Sequence, residues 1–462
     1  MMHDYPLESR TISTGTRNGN AHIGAHHSIA KPSKKYFSDK CNNCNFVITS
    51  SYTTYIVALF YRETLMQPTR TPEYLLASSL LVLLSACGGN SLQPLPTLNG
   101  DKPLVVAHRG ASGYLPEETY EAYVKAIDLG ADAIEPDLIS TKDGVLIARH
   151  DPNLAYSTDV DKHPEFASRK KTIDVDGETQ TGWFASDFTL AEIKTLGGIS
   201  TDAERPQQYN GLYKIVSFQE IIDLVKAKSK ETGRTIAVYP ETKNPSYHRA
   251  LGLPLEDKLI DLITKAGWND KTAPIFVQSF EPGSLKELRR KGLNVKLVQL
   301  IDADDVDLKT GALTFAAPYD RPYDWALAGD KRLFSDMVTP TGLAEIKTYA
   351  DGIGPWKRYI VSVKGTVGAD GKLVDMNGDG KINETDATTL APTSLISDAH
   401  KAGLLVHPYT FRNEKRRLAA NYNGDPKAEY LQFFRLGIDG MFSDFADTAL
   451  AARADYLKET GR

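Results

Sequence analysis

Residues 104–110 read L-V-V-A-H-R-G, and residues 134–151 read I-E-P-D-L-I-S-T-K-D-G-V-L-I-A-R-H-D. In both stretches an apolar run stops on charged side chains: His108 and Arg109, then Glu135 and Asp137, then His150. A strand that ends this way aims its last side chains into a mouth rather than a core. Three such endings within 48 residues predict one polar site assembled from several strand ends.

The same rhythm continues outward. Short β-rich runs are expected at residues 104–108, 133–139, 145–150, 235–242, 274–280, 295–301, 404–409 and 440–444. Helical segments are expected at 119–130, 218–232, 255–266, 283–291, 341–350, 395–403 and 428–436. Strand-helix alternation implies a parallel sheet with crossover helices. Eight strands in roughly 350 residues suit a (β/α)8 TIM barrel with insertions, and polar residues at one end of each strand suit its active-site face. By this reading His150 ends the third barrel strand. One insertion follows that strand at about 151–215 and forms a cap or side lobe; a second covers about 364–392. The barrel domain runs from 102 to 455.

Residues 1–65 show little periodicity and read as an upstream extension without regular structure. From Met66 the chain runs M-Q-P-T-R-T-P-E-Y-L-L-A-S-S-L-L-V-L-L-S-A-C-G-G-N. Its apolar stretch is too short to span a bilayer and has the length of a signal-peptide core. Leu84-Ser85-Ala86-Cys87 resembles the lipobox of bacterial lipoproteins. That resemblance makes 66–86 a signal peptide, Cys87 a lipid anchor, 87–101 a tether, and the location the cell envelope outside the cytoplasm. Cys41 and Cys44 lack a second pair for zinc, and no cysteine follows Cys87. A net charge of -5 with 24% charged residues gives no basic surface for nucleic acid. The partner expected is a small molecule, with the lipid anchor as the membrane contact.

Glu135 and Asp137 stand at i and i+2 on a strand and point the same way. Forced together, two carboxylates raise a pKa or call for a cation. With Glu241 they offer three hard oxygen donors, suited to Mg2+ or Ca2+ rather than Zn2+. The plainer alternative is rim carboxylates paired with Arg109 and Lys243. His108 and His150 can act as general base and general acid in one displacement. Arg109 brings a planar fork for phosphate oxygens. Phe280 and Tyr409, at the ends of two further strands, are candidate substrate contacts. Together these groups fit metal-assisted phosphodiester cleavage.

The segments A-H-R-G-A-S-G-Y-L-P-E-x-T, E-x-D-L-x-x-T-K-D-G, H-D and Y-P-E-T-K resemble the glycerophosphodiester phosphodiesterases, particularly the periplasmic and lipoprotein type. The likeness extends to V-Q-S-F, H-P-Y-T-F-R and G-I-D-G-M-F-S-D-F, about residues 104 to 450. It implies a barrel enzyme that hydrolyses glycerophosphodiesters to an alcohol and sn-glycerol 3-phosphate. It places the catalytic pair on His108 and His150, the metal carboxylates on Glu135, Asp137 and Glu241, and phosphate binding on Arg109, with Lys243 nearby. Glu118 stands where the family usually has Asn or His. Direct attack by water and attack by the glycerol 2-hydroxyl to give a cyclic phosphate both remain open, as does the choice of acid and base.

In the second insertion V-D-M-N-G-D-G-K-I-N-E-T-D puts Asp375, Asn377 and Asp379 at calcium-loop positions 1, 3 and 5. Lys381 offers its carbonyl at 7, and Asp386 closes the loop at 12, where Glu is usual. The loop resembles the dockerin variant and predicts a second, structural Ca2+. Two other readings compete for the whole chain. A lyase or phospholipase D relative on the same barrel typically carries a disulfide near the second histidine. A binding lipoprotein could keep the barrel without the activity.

Overall fold

The computed structural model describes residues 94–462. The extension, the signal peptide, Cys41, Cys44, Cys87 and the tether up to residue 93 lie outside the described residues. Among those described, no helix is long and apolar enough to cross a membrane.

The strands in chain order are β1 (Leu104–His108), β2 (Ala133–Glu135), β3 (Asp137–Ser140), β4 (Leu146–Ala148), β5 (Lys171–Val175), β6 (Glu178–Gly182), β7 (Ala237–Val238), β8 (Glu241–Thr242) and β9 (Phe276–Ser279). They continue with β10 (Lys296–Ile301), β11 (Asp305–Asp307), β12 (Ala312–Thr314), β13 (Gly352–Pro355), β14 (Val363–Gly365), β15 (Ala387–Thr389), β16 (Leu405–Val406) and β17 (Gly440–Ser443). Two prolines divide what are single strands. Pro136 separates β2 from β3 and Pro240 follows β7, yet the backbone bonds between the two strands run on. Tyr239 N donates to Ile134 O, Glu241 N to Pro136 O and Lys243 N to Leu138 O, at 2.9, 2.9 and 3.1 Å. The missing proline N–H groups interrupt the regular ladder but not the pairing.

Eight parallel strand positions result: β1, β2–β3, β7–β8, β9, β10, β13, β16 and β17. A helix follows each, at Tyr120–Leu129, Phe218–Thr232, Leu255–Lys265, Pro282–Arg290, Pro340–Lys347, Leu395–Lys401, Pro426–Arg435 and Ala446–Glu459. The regular ladders form a four-stranded and a seven-stranded sheet rather than one closed ring. Between β16 and β17 the chain is tied by Asp439 N to Val406 O (2.9 Å), Phe442 N to Pro408 O (3.1 Å) and Phe411 N to Phe442 O (2.9 Å). Val106, Ala133, Tyr239, Phe276, Val298 and Phe442 meet in one buried cluster. Side chains from six strand positions converge there, which requires the strands to curve around a common axis. The larger core lies between sheet and helices, with Ile221, Leu259, Leu285 and Phe433 among its members. Each such side chain contributes about 1.5–3 kcal/mol on burial.

Local chemistry sets the helix ends. Ser217 and Glu220 form a capping box before Phe218, which satisfies backbone donors that the first helical turn leaves open. Gly130, at φ 103°, closes the Tyr120–Leu129 helix in the left-handed conformation.

Two expectations about the strands change. Residues 145–150 are not a barrel strand. β4 pairs antiparallel with β3, Leu138 opposite Ala148, so His150 returns to the site on a hairpin arm. Alternation of apolar residues is the same for a hairpin arm and a barrel strand, and only the partner differs. The sixth barrel position is instead β13, whose Gly-Ile-Gly-Pro carries no β-branched run to signal it. The first insertion therefore leaves the second barrel position, beyond its hairpin arm. It has its own small core of Leu154, Phe166, Trp183, Phe188, Ile193 and Ile215 and an antiparallel hairpin of β5 and β6. In the second insertion β14 and β15 pair antiparallel, Lys364 opposite Thr388. The segment after β10, with the β11–β12 hairpin, is a further excursion that periodicity does not reveal.

Candidate active site

A cavity of about 590 Å3 opens at the C-terminal ends of the strands and is lined by His108, Arg109, Glu135, His150, Glu241, Lys243, Phe280 and Tyr409. These residues come from β1, β2, the β4 arm, β8, β9 and β16, so the polar strand ends do converge. Asp137 is buried beside them at 1% exposure.

The His-Arg-Gly turn is tightly built. Arg109 takes φ 56°, a left-handed conformation that costs about 1–2 kcal/mol outside glycine. Its backbone N donates to Glu135 Oε2 at 2.8 Å. Gly110 follows at φ 85°, where a Cβ would stand 2.8 Å from the backbone carbon of Ala122. The guanidinium lies 3.0 Å from Asp137 Oδ2 through Nε and 3.4 Å from Glu117 Oε1 through Nη1.

Glu135 also accepts from Gln278 Nε2 at 3.0 Å. Asp137 and Glu241 are partners across the β3–β8 ladder, and Lys243 Nζ lies 3.1 Å from Glu241 Oε1. Burial and the neighbouring carboxylates Asp137 and Glu118 push Glu135 well above the usual carboxylate range. Burial raises Glu241 to about 8, against the pull of Lys243. Burial acts on Asp137 too, but Lys243 and Arg109 outweigh it and hold that carboxyl low. The same Glu241 and Asp137 charges overcome the desolvation of Lys243, whose ammonium titrates at about 12.

Among the described residues, Glu118, Glu135 and Asp137 form an acidic cluster with one oxygen of each within 4.8 Å of the others. This differs from the expected set by exchanging Glu241 for Glu118. Glu118 has both oxygens engaged, Oε1 by Asp137 N at 2.9 Å and Oε2 by the Tyr123 hydroxyl. It is fully buried and does not line the cavity, whereas Glu241 does. Asp137 Oδ1 is buried with no hydrogen-bond partner, and buried carboxylate oxygens normally have one. Glu135, Asp137 and Glu241 share this end of the strands with the cations Arg109 and Lys243, while Glu117 and Glu118 lie just behind them beside Arg109 and Arg149. The oxygens of Glu118, Glu135 and Asp137 could hold a divalent cation, and Glu241 stands beside them on the cavity wall.

His108 Nδ1 lies 2.6 Å from Asp444 Oδ1, and His150 Nδ1 lies 3.0 Å from Asp151 Oδ2. A carboxylate only accepts, so in each ring Nδ1 carries the hydrogen of this contact. Asp444, just past β17, is a site residue that reading by motif passed over. The signal was present, since Gly440–Ser443 is another apolar run ending on a charge. Phe280 and Tyr409 meet edge to face with centroids 5.9 Å apart, and Lys243 Nζ sits 5.5 Å from the Phe280 ring centre.

The segment from Asp375 to Asp386 folds into a tight turn on the cavity rim, where Lys381, Asn383 and Glu384 line the wall. Asp375 accepts from Gly378 N and Gly380 N at 2.7 and 2.8 Å. Asn377 Oδ1 accepts from Asp379 N, and Asp379 Oδ1 from Lys381 N, both at 2.9 Å. Asp386 ties the loop end to its start through Met376 N at 2.8 Å.

The model of the glycerophosphoryl diester phosphodiesterase family matches residues 108–448. The chain belongs to that family. It is 37% identical over 396 residues to glycerophosphodiester phosphodiesterase GDPD6 of Arabidopsis thaliana, spanning 81% of this chain and 94% of that one. It is 29% identical over 402 residues to the glycerophosphodiester phosphodiesterase of Haemophilus influenzae, spanning 83% and 98%. Among solved structures, a glycerophosphoryl diester phosphodiesterase from Silicibacter pomeroyi DSS-3 aligns with a TM-score of 0.49 at 18% identity, covering 79% of this chain and 95% of that one. An Oleispira antarctica phosphodiesterase in complex with the product sn-glycerol-3-phosphate aligns at 0.47 and 16% identity, covering 77% and 98%. The family's reaction, hydrolysis of a glycerophosphodiester, is the activity of this enzyme.

Proposed function

We propose that this glycerophosphodiester phosphodiesterase uses His108 and His150 as its proton-transfer pair, beside a divalent cation held by Glu135, Asp137 and Glu241. The observation that carries the reading is the shared orientation of the two imidazoles, each with Nδ1 on a carboxylate and each lining the cavity that Glu135 and Glu241 also line. One histidine takes the proton from the attacking oxygen as it bonds to phosphorus, whether that oxygen is water's or the glycerol 2-hydroxyl's; in the second case water then opens the cyclic phosphate. The other gives a proton to the alcohol oxygen as the P–O bond breaks. The products are the alcohol and sn-glycerol 3-phosphate. When bound, Mg2+ or Ca2+ supplies charge stabilisation at a phosphate oxygen. Arg109 adds its fork to the phosphate, and Lys243 keeps Glu241 oriented. Phe280 and Tyr409 form an aromatic wall for the organic part of the substrate.

Release of glycerol phosphate from glycerophosphocholine, followed with and without chelator, tests this reading. The expected result is loss of activity on chelation and a fall of about 1000-fold or more in His108→Ala and in His150→Ala. Near wild-type turnover in either variant would overturn the pair.

Two further assignments belong to this reading. The loop from Asp375 to Asp386 takes a structural Ca2+, supported by its spacing and by the turn that its carboxylates organise. Cys87 is the acylated first residue of an exported protein, supported by Leu84-Ser85-Ala86-Cys87. Metabolic labelling with a fatty acid, expected in the wild type and lost in Cys87→Ala, checks the second.

A further inference from the structure

One loop of the first insertion braces both halves of the phosphodiester site. Thr201 Oγ1 donates to Glu117 Oε2 at 3.1 Å, and Glu117 faces Arg109. Asp202 and Glu204 pair with Arg416, Glu204 at 2.8 Å. Arg205 goes deepest. Its Nε donates to Glu414 Oε1 at 2.7 Å, its Nη1 to the Ser112 carbonyl at 3.2 Å, and its Nη2 to Asp444 Oδ2. Arg412 Nε reaches the same Asp444 oxygen at 2.9 Å, while His108 Nδ1 holds the other.

We propose that Arg205 is a positioning residue for His108, acting through Asp444. The geometry gives three reasons. First, with Oδ2 fixed by two guanidinium groups the carboxylate cannot rotate, and Oδ1 stays aimed at the imidazole. Second, three separate acceptors hold one planar fork, an arrangement that a lysine ammonium cannot reproduce. Third, Asp444 is almost completely buried, and a buried carboxylate stays an acceptor only when cations surround it. Burial alone would raise Asp444, yet Arg205 and Arg412 hold it well below the usual range. The ion pair therefore fixes which nitrogen of His108 carries the hydrogen. Arg205 is outside the lining of the 590 Å3 cavity and borders instead an adjoining space of about 10 Å3 beside His108, Arg109 and Asp444, room for a water and not a substrate. Its donors end on Glu414, Ser112 and Asp444, so it is placed to act through His108. The insertion is thereby part of the catalytic apparatus rather than a cover over it.

The inference rests on His108 as a catalytic histidine, and the test separates the two claims. Steady-state kinetics on glycerophosphocholine, using the full chain, are compared for wild type, Arg205→Ala, Arg205→Lys and His108→Ala. Arg205→Ala is expected to lower kcat about 10- to 100-fold with KM within about twofold, as binding energy is untouched. Arg205→Lys should be intermediate, and added guanidinium ion should restore part of the Arg205→Ala rate. A loss carried by KM, or a kcat equal to wild type in the folded variants, overturns the proposal. Should Arg205→Ala fail to fold, a folded Arg205→Lys with wild-type kcat overturns it alone. An active His108→Ala would sink the histidine assignment itself; an inactive one beside fully active Arg205 variants sinks the positioning role only.

Discussion

Asp137 and Glu241 are direct partners across a parallel ladder, and each follows a proline, Pro136 and Pro240. Residues before proline are confined to extended backbone, so both strands arrive at the carboxylates in a fixed conformation. Adjacent strands lie about 4.8 Å apart, which forces two acids together wherever such partners share a face. Replacing Glu241 by Gln keeps an oxygen donor but removes its charge. The expected outcome is a cation affinity about 10- to 100-fold weaker, with the fold retained. Titration calorimetry with Mg2+ and Ca2+ checks this, and an unchanged affinity would remove Glu241 from the site.

Arg149 is fully buried, and much of its donor capacity ends on backbone carbonyls. Nε donates to Ala148 O, Nη1 to Ser157 O, and Nη2 to Glu117 O and Glu118 O, at 2.7, 2.9, 2.8 and 2.9 Å. It fastens the hairpin arm carrying His150 to the loop that follows Arg109. Arg149→Met leaves several buried carbonyls without donors, a loss of about 3–5 kcal/mol. Urea unfolding measures it, and a change under about 1 kcal/mol would show that water replaces the guanidinium.

His248 is fully buried, with no hydrogen-bond partner on either nitrogen, and burial lowers its pKa to about 3. In the unfolded chain it titrates near 6.5. Between these values the unfolded state binds the extra proton, so stability rises with pH. The contribution is complete above about pH 6.5 and falls as the solution is acidified, by about 2 kcal/mol at pH 5. His248→Leu should therefore gain about that much relative to wild type between pH 8 and pH 5. Denaturant midpoints at the two pH values decide the matter; an equal difference at both would contradict it.

Calcium at the Asp375–Asp386 loop should stabilise the folded chain by about 2.7 kcal/mol at 100 times its dissociation constant. The thermal midpoint of wild type is expected to rise with added Ca2+, and Asp375→Ala combined with Asp379→Ala to lose part of that rise. Calorimetry that finds a single site, abolished by Glu241→Gln, would refute the second ion.

The strand ends were legible because an apolar run that stops on His-Arg or Glu-Pro-Asp leaves few other readings. Most helices fell where amphipathic spacing put them, with Phe218–Thr232 matching residue for residue. Two kinds of feature escaped. The hairpin arm of β4 and the glycine-rich β13 have local patterns that do not reveal their partners. Arg205 and Asp444 stand 239 residues apart, and no local spacing relates a loop arginine to an aspartate just after the last strand. Glu118 was visible as a departure from the family's pattern, but its hold on the Asp137 backbone depends on a left-handed turn at φ 60°.

His108 ends the first strand of the sheet, and its carboxylate partner follows the last. An emerging polypeptide could fold through β16 and still carry an imidazole with no acceptor behind it. Domains assemble as the chain leaves the ribosome, and here His108 gains its carboxylate partner only when residues 440–444 dock beside β1. On the proposed role of His108, competence for phosphodiester cleavage is tied to completion of the barrel, and a fragment cut short before β17 would bear most of the site's residues while lacking the carboxylate that orients His108.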